Sequence, residues 1–156
     1  MNIRNLFGAV SLIIAVGLSP HSSAQGQVLA VATLEGTYSQ PVNNSSWQAI
    51  HVSAAGTALQ FNTANNNERV VITYSASCLA LGFVVYVRAK VDGVIANPGA
   101  TSGVPLCSVA VSGSTYPASR TFSALIPAKG AHNVTLEVKG SGAAINIGDS
   151  ALVVQR

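Results

Sequence analysis

Between residues 120 and 154 apolar and polar residues alternate with a period of two in successive runs separated by turn formers, which restricts this part of the chain to half-buried β-strands. In residues 120–126, Phe122, Ala124 and Ile126 share one face. Pro127-Ala-Lys-Gly130 then interrupts the ladder, because proline has no N–H to donate and glycine tolerates positive φ. In the next run Val134, Leu136 and Val138 face one way and Thr135, Glu137 and Lys139 the other. Gly140-Ser-Gly142 reverses the chain into residues 143–154, where Ile145 and Ile147 have a parity that Leu152 and Val154 do not share. A slip of one residue turns every side chain to the opposite face, so keeping all four inside requires a β-bulge near Gly148 and Asp149.

The amino terminus has a different character. Arg4 precedes an apolar run over residues 6–18, and Ser22-Ser-Ala24 supplies small residues for cleavage, the pattern of an export signal over residues 1–24. That run is too short to span a membrane and no second one follows, so the expected product is secreted or periplasmic and begins near Gln25. Residues 25–156 then form one domain with a single core. Strand-like runs occur at 28–34, 48–53, 58–62, 69–78 and 83–91, and again through Cys107, with turn-rich loops at 35–47, 62–68, 97–105 and 112–119. Asp92-Gly93 between Val91 and Val94 marks a type I′ hairpin. Eight or nine short strands, no helix and no repeating block predict an all-β fold, an antiparallel β-sandwich of jelly-roll topology in preference to an immunoglobulin-like one.

Phe122, the Ile126-Pro-Ala-Lys-Gly130 turn, the run from His132 to Val138 and the finish over residues 147–154 resemble the closing strands of bacterial and phage jelly-roll modules related to complement-component and tumour-necrosis-factor-like domains. The resemblance covers about a quarter of the chain. The amino-terminal half lacks those families' glycine-tyrosine and aromatic landmarks. It implies a trimer-prone binding or structural module and carries over no catalytic residue.

Charged residues make up 8% of the chain, against about a quarter in ordinary domains. Arg69, Arg88, Lys90, Arg120, Lys129, Lys139 and Arg156 are scattered along the mature part without interleaved aromatics, which argues against nucleic acid as a partner. Chemistry is equally sparse. His51 and His132 stand in strand-like contexts, no Gly-x-Ser-x-Gly elbow accompanies them, and the acids Glu35, Glu68, Asp92, Glu137 and Asp149 are dispersed. Asn65-Asn-Asn-Glu68 offers oxygens but not the grouped acids of a calcium cage. The expectation is a chain without catalysis, metal or cofactor.

Two binding surfaces suggest themselves. Tyr38, Trp47 and Tyr116, with Gln40, Asn43 and Asn44, could stack and hydrogen-bond a carbohydrate, the competing role for Trp47 being a cap on the core. Asn43, Asn44 and Asn133 also begin glycosylation sequons, relevant only in a eukaryotic secretory pathway. Val71, Val84, Tyr86 and Leu125 are apolar at positions whose parity faces outward, and on one sheet they would form a homo-oligomer interface.

Cys78 is in phase with Val70, Ile72, Tyr74 and Ala76, and Cys107 with Val109 and Val111, so both sulfurs point inward in a chain bound for an oxidising compartment. A disulfide between them is expected. Alkylation without reductant should leave the natively exported protein unlabelled by mass; label at both thiols would remove the bond. Cys78→Ala should lower stability by about 2–5 kcal/mol.

Overall fold

The computed structural model describes residues 26–36, 38–40, 46–80, 84–99, 102–108, 116–140 and 145–156. The expected signal segment at 1–24, Asn43, Asn44, Phe83, Val109 and Val111 lie outside them. The strands are β1 (Val28–Leu34), β2 (Tyr38–Gln40), β3 (Gln48–Ala49), β4 (Ala58–Thr63), β5 (Glu68–Ala80), β6 (Val84–Val91), β7 (Val94–Ile95), β8 (Val104–Ser108), β9 (Tyr116–Ile126), β10 (Gly130–Gly140) and β11 (Ile145–Gln155). Eight of these carry the architecture, and β2, β3 and β7 are only two or three residues long.

Several boundaries differ from the sequence expectation: the strand read over 48–53 is only Gln48–Ala49, β8 begins at Val104 within a stretch read as loop, and two further differences are larger. β2 falls within a stretch read as loop, and β9 begins at Tyr116, ahead of the alternation that starts at Arg120. The β2 and β9 differences come from tertiary pairing. Thirteen-residue β5 extends far enough to pair Ser77 with Pro117 and Cys78 with Tyr116, while Ile147 of β11 pairs with Tyr38. Local propensity carries no record of such partners.

The antiparallel pairs are nested. β1 pairs β11, β4 pairs β10, β5 pairs β9 and β6 pairs β8, so the chain is one long hairpin rolled upon itself, the topology of a jelly roll. The roll makes a five-stranded sheet in the order β1-β11-β5-β9, with β2 also on β11, and a six-stranded sheet in which β3 and β4 flank β10, followed by β6 with β7 and β8. Between β6 and β7, Asp92 and Gly93 take φ of 49° and 84°, the two positive values that the predicted hairpin turn demands.

Between the sheets lies one core. Val70, Ile72, Tyr74, Ala76 and Cys78 of β5, Val85, Val87, Ala89 and Val91 of β6, and Val134, Leu136 and Val138 of β10 are buried as their alternation predicts. β11 shifts register between Ile147 and Ser150, and this bulge lets Ile147, Leu152 and Val154 all point inward. The Gly36 N–H donates to Asp149 Oδ1 at 2.7 Å, pinning the gap between β1 and β2 against the bulge. Cys78 and Cys107 are joined across the two sheets, their Cα atoms 6.2 Å apart.

One side of the sandwich is sealed by hydrogen bonds. Asn97 and Ser123 exchange two, N to O at 2.9 Å and 2.6 Å, so odd-numbered residues of β9 turn their backbone groups away from β5. Pro117 and Pro127 stand at this odd parity and offer no donor, the Arg120 guanidinium covers the Ser119 carbonyl at 2.6 Å and also reaches the Pro105 carbonyl, and Asn67 N–H donates to the Pro127 carbonyl. The β9 edge is thereby blunted against pairing with another chain.

Within the core, the Tyr74 and Ser150 hydroxyls lie beside each other without meeting hydrogen-bond geometry. Burial pushes the Tyr74 phenol up to about 12, and the neighbouring serine offsets this only slightly. Because the folded value exceeds the unfolded one near 10, the contribution of the neutral phenol is fully present below pH 10 and is lost as pH rises toward 12. Tyr74→Phe should be neutral to within about 1 kcal/mol at pH 7. In urea titrations at stepped alkaline pH, the wild type should fall behind that variant by up to about 2–3 kcal/mol. Parallel pH profiles for the two proteins would refute this.

Candidate functional site

The densest polar group sits at the end of the sandwich where three chain reversals meet. His132 on β10 is buried, its Nδ1 lies 2.6 Å from Asp92 Oδ2 in the β6–β7 turn, and its Nε2 lies 3.2 Å from Thr63 Oγ1 at the end of β4. Acid, imidazole and hydroxyl in that order resemble a hydrolytic triad. Two features give them other work. Nε2 faces the Ala128 carbonyl at 3.0 Å, so it acts as a donor and has no lone pair to take a proton from Thr63; the Thr63 hydroxyl donates to the same carbonyl at 3.1 Å. Thr63 is also buried, closed off from any substrate. Burial works to raise the Asp92 carboxyl, but the Asn133 N–H and the imidazole outweigh it and hold the group below its ordinary value. The cluster fastens the ends of β4, β6 and β10 together.

A second group lies on the outer face of the six-stranded sheet. Glu137 of β10 faces Arg88 of β6 directly, receiving Arg88 on Oε2 at 2.6 Å and Lys90 Nζ on Oε1 at 2.7 Å. Above this pair the Arg88 guanidinium carbon stands 4.3 Å from the centre of the Trp47 ring, a cation–π contact. Gly103 has φ of 70°, and a Cβ there would run into the Trp47 ring, so the residue must be glycine both for its backbone and for its neighbour. Trp47 is thereby held between Arg88 and Gly103 on the outer side of the six-stranded sheet. Burial tends to raise Glu137, yet the hydrogen bonds and charges of Lys90 and Arg88 prevail and lower it.

The outer face of the five-stranded sheet is unlike this. Strand register lays out one row of Thr33, Ala151, Ser75 and Ser119, a second of Val31, Val153, Thr73 and Thr121, and a third of Gln155, Val71 and Ser123. None of these side chains is charged; Arg69, Glu35 and Asp149 stand only at the borders. Cross-strand hydroxyl contacts, Ser75 to Ser119 at 3.0 Å and Thr73 to Thr121 at 3.4 Å, tie β5 to β9. Where the β11 bulge meets Gly36 and the small side chains of Ser75, Ser77 and Ser119, the face is dented by a groove of about 870 Å³.

The residues singled out in the sequence distribute as follows. Tyr116 on β9 is exposed and Tyr38 stands on β2, in one register row with Ile147 and Cys78 across the five-stranded sheet. Trp47 precedes β3 of the other sheet and packs on Arg88 there. Val71 and Leu125 lie on the outer face of the five-stranded sheet, with Leu125 57% exposed; Val84 and Tyr86 are on β6 in the six-stranded sheet. Their common outward parity is real, but opposite sheets separate them into two surfaces. His51 is half-buried, and Glu68 spends its carboxylate on the Ala64 and Asn65 N–H groups and Arg156 rather than on a calcium site. Among the described residues no three His, Cys, Asp or Glu side chains converge, and no helix is long and apolar enough to cross a membrane. Sequence reasoning missed the Asp92–His132 pair and the Trp47–Arg88–Glu137 stack. Opposite charges at Arg88 and Glu137 were visible, but not the strand register that faces them.

No family model and no curated protein matches the chain. Among solved structures it is similar to the VP2 subviral particle of infectious bursal disease virus, with a TM-score of 0.54 and 14% identity over 92% of this chain and 36% of that one. A structure of T=1 particles derived from infectious bursal virus aligns at a TM-score of 0.49 and 14% identity, over 91% of this chain and 36% of that one. The chain thus spans little more than a third of the length of these structures. At such identity the first likeness shows the fold, a jelly-roll β-sandwich.

Glu137→Gln should cost about 1–3 kcal/mol at pH 7, as a charge-assisted pair becomes a neutral one. Since the folded carboxyl titrates below its ordinary 4.5, its contribution is present above that value and lost as pH falls beneath it. The gap between wild type and variant in acid urea titrations should close there. Trp47 emission followed in parallel should shift as the Arg88 stack loosens; a constant gap down to pH 2 would contradict the assignment.

Proposed function

We propose that this protein is an exported, non-catalytic structural module that assembles with copies of itself. The observation carrying the proposal is the contrast between its two outer faces. One bears Arg88, Lys90, Glu137 and Lys139, an ordinary solvated surface, while the other presents eleven side chains in three rows without a charge. A sheet face that opposes water alone seldom dispenses with charge over such an area, whereas a face that packs on another sheet at about 10 Å has no use for it. Val31, more than half exposed in the middle row, gains most from cover.

Two further points support the reading. The jelly-roll fold is shared with a protein solved as a subviral particle. The resemblance of the closing strands to complement-component and tumour-necrosis-factor-like modules also implies association, with three-fold symmetry. The polar cluster around His132 and the Trp47 stack are consumed by structural contacts, which leaves assembly as the use of the remaining surface. Val71 and Leu125 belong to that surface, Val84 and Tyr86 to the other.

Light scattering on the purified mature protein at micromolar concentration should give a mass above the monomer. Thr73→Glu places a carboxylate in the centre of the uncharged face, where desolvation without a partner costs several kcal/mol, and should reduce the assembled mass while the circular dichroism is kept. Tyr86→Glu on the opposite sheet should leave the mass unchanged. A strictly monomeric wild type, or equal sensitivity to the two substitutions, would refute the proposal.

A further inference from the structure

The two edges of the five-stranded sheet differ in a way that identifies a partner. β9 is blunted by Pro117, Pro127, Asn97 and Arg120, as described above. β1, the other edge, is Val-Leu-Ala-Val-Ala-Thr-Leu over residues 28–34, with no charge, proline or glycine, and among the described residues it is hydrogen-bonded only to β11. Val28 and Val31 on it are 54% and 53% exposed. One register shift interrupts its ladder with β11, between Val28 and Ala30; from Ala30 to Leu34 the edge carries none of the charge, proline or bulges with which natural sheets protect an open edge, and such an apolar edge is a template for another strand.

The direction of its free groups follows from the ladders. Arg156 N–H donates to the Gln27 carbonyl at 2.9 Å, so even-numbered residues at the end of β11 turn toward β1. Ala30 and Ala32 pair with Val154 and Leu152 and use their backbone groups there. Val31 and Thr33, of the opposite parity, present N–H and C=O to the open side. Stepping across from the Asn97–Ser123 exchange through β5 and β11 gives the same phase.

We propose that the β1 edge pairs antiparallel with the β1 edge of a second copy, joining the two five-stranded sheets across a two-fold axis near Val31. This inference rests on the self-assembly reading and specifies its partner and contact. A two-fold seam sets each strand against itself. Most strands would oppose like charges in that arrangement; this one has none to oppose. The row of Val31, Val153, Thr73 and Thr121 then continues into the partner, so the seam doubles the uncharged face. Being isologous, it yields even multiples of the chain rather than the three implied by the complement-type resemblance.

Proline at Val31 removes an outward donor without breaking a bond to β11, an edge position that tolerates it. In the Thr73→Glu background, where face packing is disabled, the remaining species should be a dimer, and adding Val31→Pro should convert it to a monomer while Val31→Thr should not. Amide exchange gives an independent readout should the proline variant fail to fold. The Val31 and Thr33 amides should be protected at dimer concentrations and lose protection on dilution. A Thr73→Glu protein that is already monomeric, or a dimer indifferent to Val31→Pro, overturns the seam and leaves self-assembly through the face standing. Protection of those amides that is independent of concentration assigns the edge to a contact within the same chain and also overturns it. A wild type that is monomeric throughout refutes the underlying reading itself.

Discussion

Register in β11 is the constraint on which the other contacts depend. This strand lies between β1 and β5, so one phase must satisfy two ladders while its apolar side chains fill the core from one end to the other. Without the bulge between Ile147 and Ser150, either Ile147 or the Leu152–Val154 pair would turn outward, and one end of the core would open. The same extra length holds Asp149 against Gly36 and divides the partner strand into β1 and β2. The dent in the outer face, the interrupted edge and the continuous core thus share one cause.

Charge is scarce in this chain, and the fold spends it locally. Glu137 serves two cations, Glu68 gathers two N–H groups and Arg156, and Asp92 secures His132 and the Asn133 N–H. Each carboxylate therefore fastens elements that the hydrophobic core alone leaves free to slide, and each does so near a strand end or on an outer face where water still limits the cost of burial. The five-stranded sheet receives none of this fastening on its outer face and uses serine and threonine pairs instead.

Much of this architecture was legible in the chain because alternation with period two is a local property. The core faces of β5, β6 and β10, the Asp92-Gly93 turn, the position of the β11 bulge and the inward phase of Cys78 and Cys107 all follow from residues read a few at a time. What was not legible depends on which strand lies beside which. The extension of β9 to Tyr116 needs β5 as its neighbour, and the assignment of Tyr86 and Val71 to different surfaces needs the sheet order. Trp47 shows the limit most plainly: composition made it a core cap or a sugar platform, and only the placement of Arg88 and Gly103 reveals a residue clamped at the surface.

The nested pairing also fixes an order of events for a chain that emerges amino terminus first. The innermost pair, β6 with β8, closes a short loop, and each pair outside it closes a longer one, ending with β1 on β11 across nearly the whole domain. Loop-closure entropy favours assembly from the inside outward. The Cys78–Cys107 bond spans 29 residues around the innermost turn, so once formed it shortens every loop still to be closed. Of the described strands β1 is synthesised first yet is the last to find its partner, since β11 is made after all the others. Throughout synthesis this apolar strand has to be kept from pairing elsewhere.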